Sequence, residues 1–483
     1  MWPSAALLCC VCISCAHALS NHPILVVVSY DAFRYDFFEQ RLPHMEQVRA
    51  QGVYAEYLIN VFPTKTFPNH HSISTGLYTE VHGVIGNSFY DSALKNVVGM
   101  GFEMYHYNDD VKPIWRLNED LGEGRHSGAV MWPGSNFPYQ NKTITWTLPF
   151  EAGYDWQKRV DHAISWILDP FRPANLVMLY FEEPDTHGHA FGPNSEVVRT
   201  QVHKLDNITG YLHEQLHAHG LSDLVNVIHV SDHGMTAVTP PRFINITQYM
   251  QNGTYEWAGA SPAIQITPHQ GHEQEIYSGL KAASRRNGHF GVYNKSEYLE
   301  RWHYKNNSRS PPILVLADVG YALDDLIRAA PRFAEKYNFT LTNSSEFGVH
   351  GYDYTETQMH PFFMAVGPQI RQHTKVEPFH TVDLFYLFCA ILDLPAPANN
   401  GSIIPTQLVL QPMPGRFRVG TIVMISVGGV LLVLILVILT VVFTLMLIKR
   451  QQNITTTAAL NKRFPQTFQN YIEAQHLLEP EDA

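Results

Sequence analysis

Acidic and histidine side chains follow three of the apolar runs in this chain of 483 residues. These residues are Asp31 after ILVVVSY, Asp185 and His189 after NLVMLYF, and Asp232 and His233 after VNVIHVS. Asp185 and His189 are four residues apart, so a helix or a tight turn would direct both to the same side. Carboxylate oxygens and imidazole nitrogens without thiolates are the ligands of hydrolytic zinc rather than structural zinc. Their types and spacing therefore predict a metal-dependent hydrolase.

The prediction of a metal site rests on these residues occurring together. A single Asp behind a buried strand is often only a turn residue or a helix cap, and a chain with 26 histidines carries many at its surface. Two ligand sets suggest two ions, which about 4 Å apart would hold the attacking and leaving oxygens of a phosphoryl transfer. They would also supply positive charge to a chain whose net charge is −11. His70 and His187 have no evident partner and are left unassigned.

Two further segments carry candidate residues. In GVHGYDY, glycines near His350 allow close backbone approach. In FPTKTFPNHHSISTG, Thr66 precedes Phe67 and Pro68, where Thr can cap a helix and Pro can occupy its first turn. A helix N-terminus presents free N–H groups to a phosphate, and a metal beside the hydroxyl would make it a nucleophile. A plain helix cap is the alternative, and this segment alone favours it.

The elements that must position these residues are apolar runs separated by segments with helical periodicity. The runs lie at 24–30, 128–132, 175–181, 225–231, 263–267, 313–318 and 362–367, and helical segments at 154–168 and 195–220. Buried strands that alternate with helices are typical of an α/β fold with a mostly parallel sheet and helices on both faces. Ligands bind beyond the carboxyl ends of such strands, so the Asp and His residues should meet at one edge.

Two apolar segments predict an exported protein with a membrane anchor. The N-terminal stretch is too short to span a bilayer and ends in Ala-His-Ala, which is typical of a cleaved signal peptide, although a positive n-region is missing. Residues 419–448 are uncharged and long enough to cross a hydrocarbon core of about 30 Å. The predicted organisation is a signal peptide (1–20), a catalytic ectodomain (21–410), a linker (411–418), a transmembrane helix (419–448) and a cytoplasmic tail (449–483).

Composition adds three expectations. The acidic net charge and the lack of a Lys/Arg-rich run argue against a nucleic-acid partner. Outside the predicted signal peptide the only cysteine is Cys389, so no intramolecular disulfide can form. Nine N-x-S/T sequons in the predicted ectodomain are typical of a glycoprotein surface. They begin at Asn141, Asn207, Asn245, Asn252, Asn294, Asn306, Asn338, Asn343 and Asn400.

Several short motifs together resemble a known family. TKTFPNH, SYDAF, PDTHGH, SDHGM, HGYD and GNSFYD are similar to segments of the ectonucleotide pyrophosphatase/phosphodiesterase family, within the alkaline phosphatase superfamily. The resemblance covers nearly the whole predicted ectodomain, in order. It is closest to the short members of the family that carry a C-terminal transmembrane anchor, and it implies an alkaline-phosphatase-like core.

The resemblance also implies cofactors and residue roles. Two zinc ions would be held, one by Asp31, Thr66, Asp232 and His233, the other by Asp185, His189 and His350. Thr66 would attack phosphorus and form a covalent nucleotidyl-threonine, which water then hydrolyses. Asn87 would donate a hydrogen bond to a phosphate oxygen, and Phe67 and Phe150 would hold a nucleobase between them. The sequence departs from the family at Ala32, where Gly is common, and at Val349, where relatives often carry a polar residue.

These features predict an extracellular enzyme that releases nucleoside 5′-monophosphates from dinucleoside polyphosphates, NAD-like dinucleotides or nucleoside triphosphates. A phosphodiesterase for choline-headed lipids, as in other branches of the family, is one alternative. A cell-surface binding glycoprotein with little activity is another, although the complete ligand set argues against it. A sulfatase would need a Cys or Ser in a C/S-x-P-x-R setting at the nucleophile, and the sequence has none.

The predicted cytoplasmic tail contains a candidate sorting signal. Glu473 precedes Leu477 and Leu478 with the acidic-x-x-x-Leu-Leu spacing that resembles a signal bound by clathrin adaptors. Two leucines in a short polar tail have no core to fill, so partner binding would account for them. Chance is the alternative, because such short motifs recur. The expectation is a plasma-membrane protein that cycles through endosomes or lysosomes.

Overall fold

The computed structural model describes residues 19–412 and 419–463. Most of the predicted signal peptide, most of the predicted linker and the candidate sorting signal lie outside these ranges. The strands are β1 (Ile24–Tyr30), β2 (Val53–Ala55), β3 (Leu58–Ile59), β4 (Phe89–Asp91), β5 (Asn96–Val98), β6 (Ser127–Val130), β7 (Trp146–Leu148), β8 (Leu176–Phe181), β9 (Val225–Val230), β10 (Thr236–Val238), β11 (Tyr255–Ala260), β12 (Ala263–Pro268), β13 (Phe290–Asn294), β14 (Ile313–Ala317), β15 (Phe347–Val349), β16 (Phe363–Val366), β17 (Thr374–Val376) and β18 (Phe379–His380).

The α-helices of the described chain are α1 (Pro43–Gln51), α2 (Thr66–Thr75), α3 (Thr79–His82), α4 (Phe102–Tyr105), α5 (Ile114–Asp120), α6 (Trp156–Ile167), α7 (Asp185–Phe191), α8 (Glu196–Ala218), α9 (Glu273–Asn287), α10 (Asp324–Lys336), α11 (Leu384–Ile391), α12 (Ile404–Val409) and α13 (Val419–Arg463). Short 3₁₀ helices lie at Tyr35–Glu39, Pro240–Arg242, Thr247–Tyr249, Lys295–Glu297, Glu300–Trp302, Thr357–Met359 and Thr381–Asp383.

The main sheet has eight strands in the order β17-β2-β16-β9-β1-β8-β6-β7. All strands from β9 to β7 run parallel, whereas β16 runs antiparallel to both of its neighbours. The register pairs Ser29 of β1 with Tyr180 of β8 on one side and with Val230 of β9 on the other. The carboxyl ends of these three strands therefore lie side by side, and the predicted mostly parallel α/β fold is confirmed.

Helices cover both faces of this sheet. The helices α1, α6 and α8 pack together on one face, and α2, α5 and α11 pack together on the other. Every residue of β1 is consequently buried, which explains why this strand is a continuous run of apolar residues. Side chains accept the first backbone N–H groups of two long helices, Asp155 from Lys158 in α6 and Ser195 from Val198 in α8.

Two of the predicted apolar runs belong to a second sheet. The runs at 263–267 and 313–318 form β12 and β14, which pair antiparallel in a four-stranded sheet ordered β11-β12-β14-β13. This sheet packs with α9 around its own apolar cluster, which includes Ile264, Ile266, Leu280 and Val315. An apolar run has the same composition in either sheet, so the sequence did not separate them.

The described chain divides into two units, one ending at Gln411 and the other beginning at Pro412. The second unit contains α13, which begins where the predicted membrane span begins and continues past Ile448 to Arg463. Within it, Leu431–Thr455 includes a stretch of mean hydropathy 3.3 and is long and apolar enough to cross a membrane.

Candidate metal centre and active site

The first predicted ligand set is brought together by two neighbouring parallel strands. Asp31 follows β1, and Asp232 and His233 lie just beyond β9. His233 Nε2 lies 3.3 Å from Asp31 Oδ1 and 3.2 Å from Asp232 Oδ2. All three side chains are buried, and these ligand atoms are close enough together to hold one metal ion.

The second set lies beyond β8 and is more accessible. Asp185 begins α7, and His189 lies one turn later, with its Nε2 3.3 Å from Asp185 Oδ2. His350 follows β15, and its Nε2 lies 3.6 Å from Asp185 Oδ1. Asp185 and His189 are half-buried, whereas His350 is buried. The structure thus brings together the three predicted ligands of the second ion, two of them partly exposed to solvent.

Backbone carbonyls orient all three histidines. The Nδ1 atoms of His233, His189 and His350 lie 2.8, 2.9 and 2.9 Å from the carbonyl oxygens of Gly234, Gly348 and Thr64, respectively. A carbonyl oxygen only accepts hydrogen bonds, so each Nδ1 carries the proton and each Nε2 has a free lone pair. This is the arrangement that fixes the tautomer of a histidine that binds a metal.

The carboxylates fit two divalent cations. Asp31 Oδ1, Asp185 Oδ1 and Asp232 Oδ2 are buried and accept no hydrogen bond within the described residues. Burial, together with the charges of Asp232 and Asp185, raises the pKa of Asp31 well above its ordinary value. An unpaired buried carboxylate is costly, whereas a bound cation would satisfy these oxygens and offset their repulsion. The donor set of oxygen and nitrogen atoms suits zinc.

Thr66 lies beside the first set. It is the first residue of α2, not its cap; the cap position is occupied by Lys65, whose side chain makes no capping hydrogen bond. Thr66 Oγ1 lies 3.3 Å from His233 Nε2 and 3.4 Å from Asn87 Nδ2. The plain helix cap that the segment alone favoured is therefore wrong, and the hydroxyl is directed at the candidate metal centre.

Asn87 is held in one orientation. Its Oδ1 accepts the backbone N–H of Phe67 at 3.0 Å, which leaves Nδ2 directed at the Thr66 hydroxyl. The helix N-terminus alone would have predicted a Phe67 N–H that is free to bind a phosphate. In the structure this N–H is instead taken by Asn87. The side-chain amide of Asn87 instead provides two N–H groups beside Thr66.

Four supporting residues were not assigned from the sequence. His70 Nδ1 lies 2.8 Å from the carbonyl oxygen of Thr66 and 3.3 Å from Asp232 Oδ2, so it connects the start of α2 to a predicted ligand. The supporting residues are His70, Thr64, Lys65 and Tyr180. The sequence separation between His70 and Asp232 explains why the first was left out, although its position one helical turn after Thr66 was a usable signal.

Lys65 adds a buried cation next to Thr66 in the chain. Its Nζ donates to the carbonyl oxygen of Ser261 at 2.6 Å. Burial lowers its pKa to about 8, which Asp325 and Asp185 oppose. The side chain therefore contributes positive charge near the second ligand set at neutral pH.

The two phenylalanines that are predicted to bind a base come from distant segments of the chain. Phe67 is half-buried in α2, and Phe150 is exposed, with 56% of its surface accessible. The ring of Phe150 meets that of Tyr180 edge-on at 6.4 Å, and the Tyr180 hydroxyl donates to Asp31 Oδ2. No ring contact joins Phe67 to Phe150 in the described chain, and their joint role in binding a base stays a prediction.

The departure at Val349 has a local explanation, whereas nothing in the structure explains Ala at position 32, where Gly is common. Ala32 has φ 57°, a left-handed conformation in which Gly is free of strain, and its N–H donates to Asp232 Oδ1 at 3.2 Å. Val349 is buried in an apolar cluster with Phe347 and Tyr352. The carbonyl oxygen of Thr64 orients His350, so a polar side chain at position 349 is not required for that purpose.

Comparison with known proteins gives concordant matches. Residues 25–353 match the model of the type I phosphodiesterase/nucleotide pyrophosphatase family. A bis(5′-adenosyl)-triphosphatase of Xenopus laevis is 34% identical over 416 residues, covering 86% of this chain and 87% of that protein. Ectonucleotide pyrophosphatase/phosphodiesterase family member 5 of Homo sapiens is 34% identical over 398 residues, covering 80% of this chain and 78% of that protein.

A solved structure is similar as well. It is murine ectonucleotide pyrophosphatase/phosphodiesterase 5, as an inactive threonine-to-alanine variant in complex with AMP. Its TM-score to this chain is 0.72 at 33% sequence identity, and the match covers 80% of this chain and 100% of that chain. The likeness confirms the predicted alkaline-phosphatase-like α/β core.

Proposed function

Because the chain belongs to the type I phosphodiesterase/nucleotide pyrophosphatase family and is a hydrolase of that class, we propose that it is an extracellular two-zinc enzyme that releases nucleoside 5′-monophosphates. Its substrates would be dinucleoside polyphosphates, NAD-like dinucleotides or nucleoside triphosphates. The observation that carries the proposal is the position of the Thr66 hydroxyl, 3.3 Å from His233 Nε2 and directly beside Asn87.

Thr66 is the proposed nucleophile. Its Oγ1 loses its proton to solvent and attacks phosphorus, the bond to the leaving phosphate oxygen breaks with the electron pair on that oxygen, and a covalent nucleotidyl-threonine forms. Asp31, Asp232 and His233 would hold one zinc ion and Asp185, His189 and His350 the other, and bound zinc would supply a lower pKa for the Thr66 hydroxyl and positive charge for the phosphate. Water then hydrolyses the intermediate and restores Thr66.

Asn87 stabilises charge that develops on the phosphate. One N–H of its side chain is directed at Thr66 Oγ1, and the other is available to a phosphate oxygen. Because Oδ1 is held by the Phe67 N–H, the amide is already oriented before substrate binds. Donors held in place in this way contribute most where charge increases in the transition state.

Phe67 and Phe150 are the proposed base-binding residues. Phe67 follows Thr66 in the chain, and exposed Phe150 contacts the ring of Tyr180, whose hydroxyl donates to Asp31. The relative in complex with AMP, inactive as a threonine-to-alanine variant, supports both a nucleotide ligand and a threonine nucleophile here. The bis(5′-adenosyl)-triphosphatase relative supports a dinucleoside polyphosphate as the first substrate to test.

A hydrolysis panel tests the proposal. The full-length protein in detergent would be assayed with bis(5′-adenosyl) triphosphate, NAD, ATP, a choline-headed phospholipid and a small aryl phosphodiester. We expect a nucleoside 5′-monophosphate from at least one nucleotide and a higher kcat/KM for it than for the lipid. Preferential cleavage of the lipid would favour the choline-lipid phosphodiesterase, and no cleavage of any substrate by the zinc-loaded protein would favour a binding glycoprotein.

The site of action is proposed from the two ends of the chain. Residues 1–20 would act as a cleaved signal peptide, and the span within α13 would anchor the protein in the plasma membrane. This orientation places residues 21–410 outside the cell, where nucleotides are available, and 449–483 in the cytosol. Protease treatment of intact cells should remove the first segment and leave the second.

A further inference from the structure

A groove of about 410 Å³ lies between the N-terminal end of α6 and the middle of α8. Three aromatic residues line it: Tyr154 just before α6, Trp156 at the start of α6, and Tyr211 from α8. Gln201 and Lys204 add polar groups from α8. Aromatic walls with a few polar side chains are suited to a sugar, which has an apolar face and a rim of hydroxyls.

Asn207, the asparagine of an N-x-T sequon, lines the same groove. It is exposed, and its amide makes no hydrogen bond within the part of the chain that the structure describes. Tyr211 lies four residues later on the same helix face. Helical side chains lean toward the N-terminus, so the ring of Tyr211 lies over the surface around Asn207.

The aromatic rings are held in place by other contacts. The Tyr211 hydroxyl donates to Asp161 at 2.8 Å, and the Tyr154 hydroxyl lies 2.8 Å from His162 Nε2. The Trp156 ring meets Phe181 edge-on at 5.5 Å. All three rings are only half-buried, so each offers a surface that the protein itself leaves uncovered.

We propose that Asn207 carries an N-linked glycan and that its first N-acetylglucosamine units occupy this groove against Trp156 and Tyr211. The inference rests on the proposed export of the chain, not on the substrate of the enzyme. The modification joins Nδ2 of Asn207 to C1 of the first sugar and breaks the bond from C1 to the pyrophosphate oxygen of a lipid-linked oligosaccharide. Nδ2 loses one proton in this step.

The test compares two sequons in one protein. Full-length protein from secretory cells would be treated under native conditions with a peptide-N-glycosidase, and glycopeptide mass spectrometry would follow release at Asn207 and at Asn343. Asn343 is exposed in the loop between α10 and β15. We expect release at Asn207 to be about ten-fold slower, since the glycosidase must first lift the sugar from its rings. Equal rates, or an unmodified Asn207, would overturn the proposal.

A matched pair of variants tests whether the Tyr211 ring is what slows release of the glycan from Asn207. Tyr211→Phe keeps the ring and removes only the hydrogen bond to Asp161, so it should retain slow release at Asn207. Tyr211→Ala removes the ring and should bring release close to the rate at Asn343. If both variants released the Asn207 glycan at the same rate, the sugar would not rest on Tyr211 and the proposal would fail.

Discussion

The rings of His233 and His350 stack, with centroids 3.7 Å apart and planes 11° from parallel. Each histidine belongs to a different predicted ligand set, so the two sets are in direct contact through these rings. Burial and the neighbouring His233 lower the pKa of His350 well below its ordinary value, which keeps the imidazole neutral and able to bind a metal. Loss of a ligand in one set should therefore affect the other.

Zinc content tests the second ligand set. His189→Ala should lose about one of two zinc ions and at least about 100-fold in turnover, because one of three protein ligands is removed. His187→Ala is the matched control on the same helix, since His187 Nδ1 pairs with Glu183 at 2.6 Å and is not a predicted ligand. Elemental analysis and nucleotide hydrolysis would be measured on both. Equal zinc content in the two variants would contradict the assignment.

The role proposed for Thr66 can be tested separately from metal binding. Thr66→Ala should keep most of the bound zinc, since the three other ligands of its site remain, but should lose about 10³-fold or more in turnover. Thr66→Ser retains a hydroxyl and should keep part of the activity. Intact-mass measurement during turnover should detect a nucleotidyl adduct on the wild type and none on Thr66→Ala. Near wild-type hydrolysis by Thr66→Ala would exclude this residue as the nucleophile.

The strand ends were predictable from the sequence because they depend on local patterns. The run at 24–30 coincides with β1, and the runs at 175–181 and 225–231 match β8 and β9 to within a residue at each end. Parallel strands align their carboxyl ends, so the meeting of Asp31, Asp185 and Asp232 followed from the fold class alone.

The features of the fold and site that the sequence did not predict depend on contacts between distant segments. Nothing local in the sequence indicates that the carbonyl oxygen of Thr64 accepts from His350, or that His70 contacts Asp232. The apolar runs at 263–267 and 313–318 carry no signal that assigns them to the second sheet. Position 66 was ambiguous for a further reason, because Thr is favoured at a helix cap and also serves as a nucleophile.

The base-binding role of Phe150 predicts a substrate-dependent loss. Stacking of a base on an aromatic ring contributes about 1–3 kcal/mol, so Phe150→Ala should lower kcat/KM for a nucleotide about ten-fold or more. The same change should barely affect a small aryl phosphodiester without a base. Phe171→Ala is the control, since Phe171 is also an exposed phenylalanine, with 87% of its surface accessible. Equal losses on both substrates would indicate a structural role for Phe150.

The predicted cytoplasmic tail gives a prediction about traffic. Replacing Leu477 and Leu478 by Ala should raise the surface fraction of the protein, because the acidic-dileucine spacing from Glu473 is what an adaptor would bind. Ile472→Ala is the control, since it removes an aliphatic side chain outside that spacing. Surface labelling would give the internalisation rate, and hydrolysis per molecule should be unchanged. Identical internalisation of wild type and the Leu477/Leu478 variant would rule out the signal.

Acid stability should depend on His71, which is fully buried with neither ring nitrogen hydrogen-bonded within the described residues. Burial and the nearby His106 lower its pKa to about 3, below the ordinary 6.5. Between these two values the unfolded chain binds a proton that the folded chain does not. Stability is therefore fully present above pH 6.5 and falls as the pH decreases, by about 2 kcal/mol at pH 5 for one such group.

His71→Phe removes this proton site and keeps an aromatic ring beside His82 and Tyr105, whose rings lie 4.8 and 5.2 Å away. The drop in melting temperature between pH 7.5 and pH 5 should therefore be smaller in His71→Phe than in wild type. Tyr105→Phe is the control in the same pocket: burial raises the pKa of Tyr105 further above this range, so the variant removes no group that titrates there. It should keep the full drop. If the melting temperatures of the two variants decreased by the same amount between pH 7.5 and pH 5, the buried imidazole of His71 would not be a source of acid sensitivity.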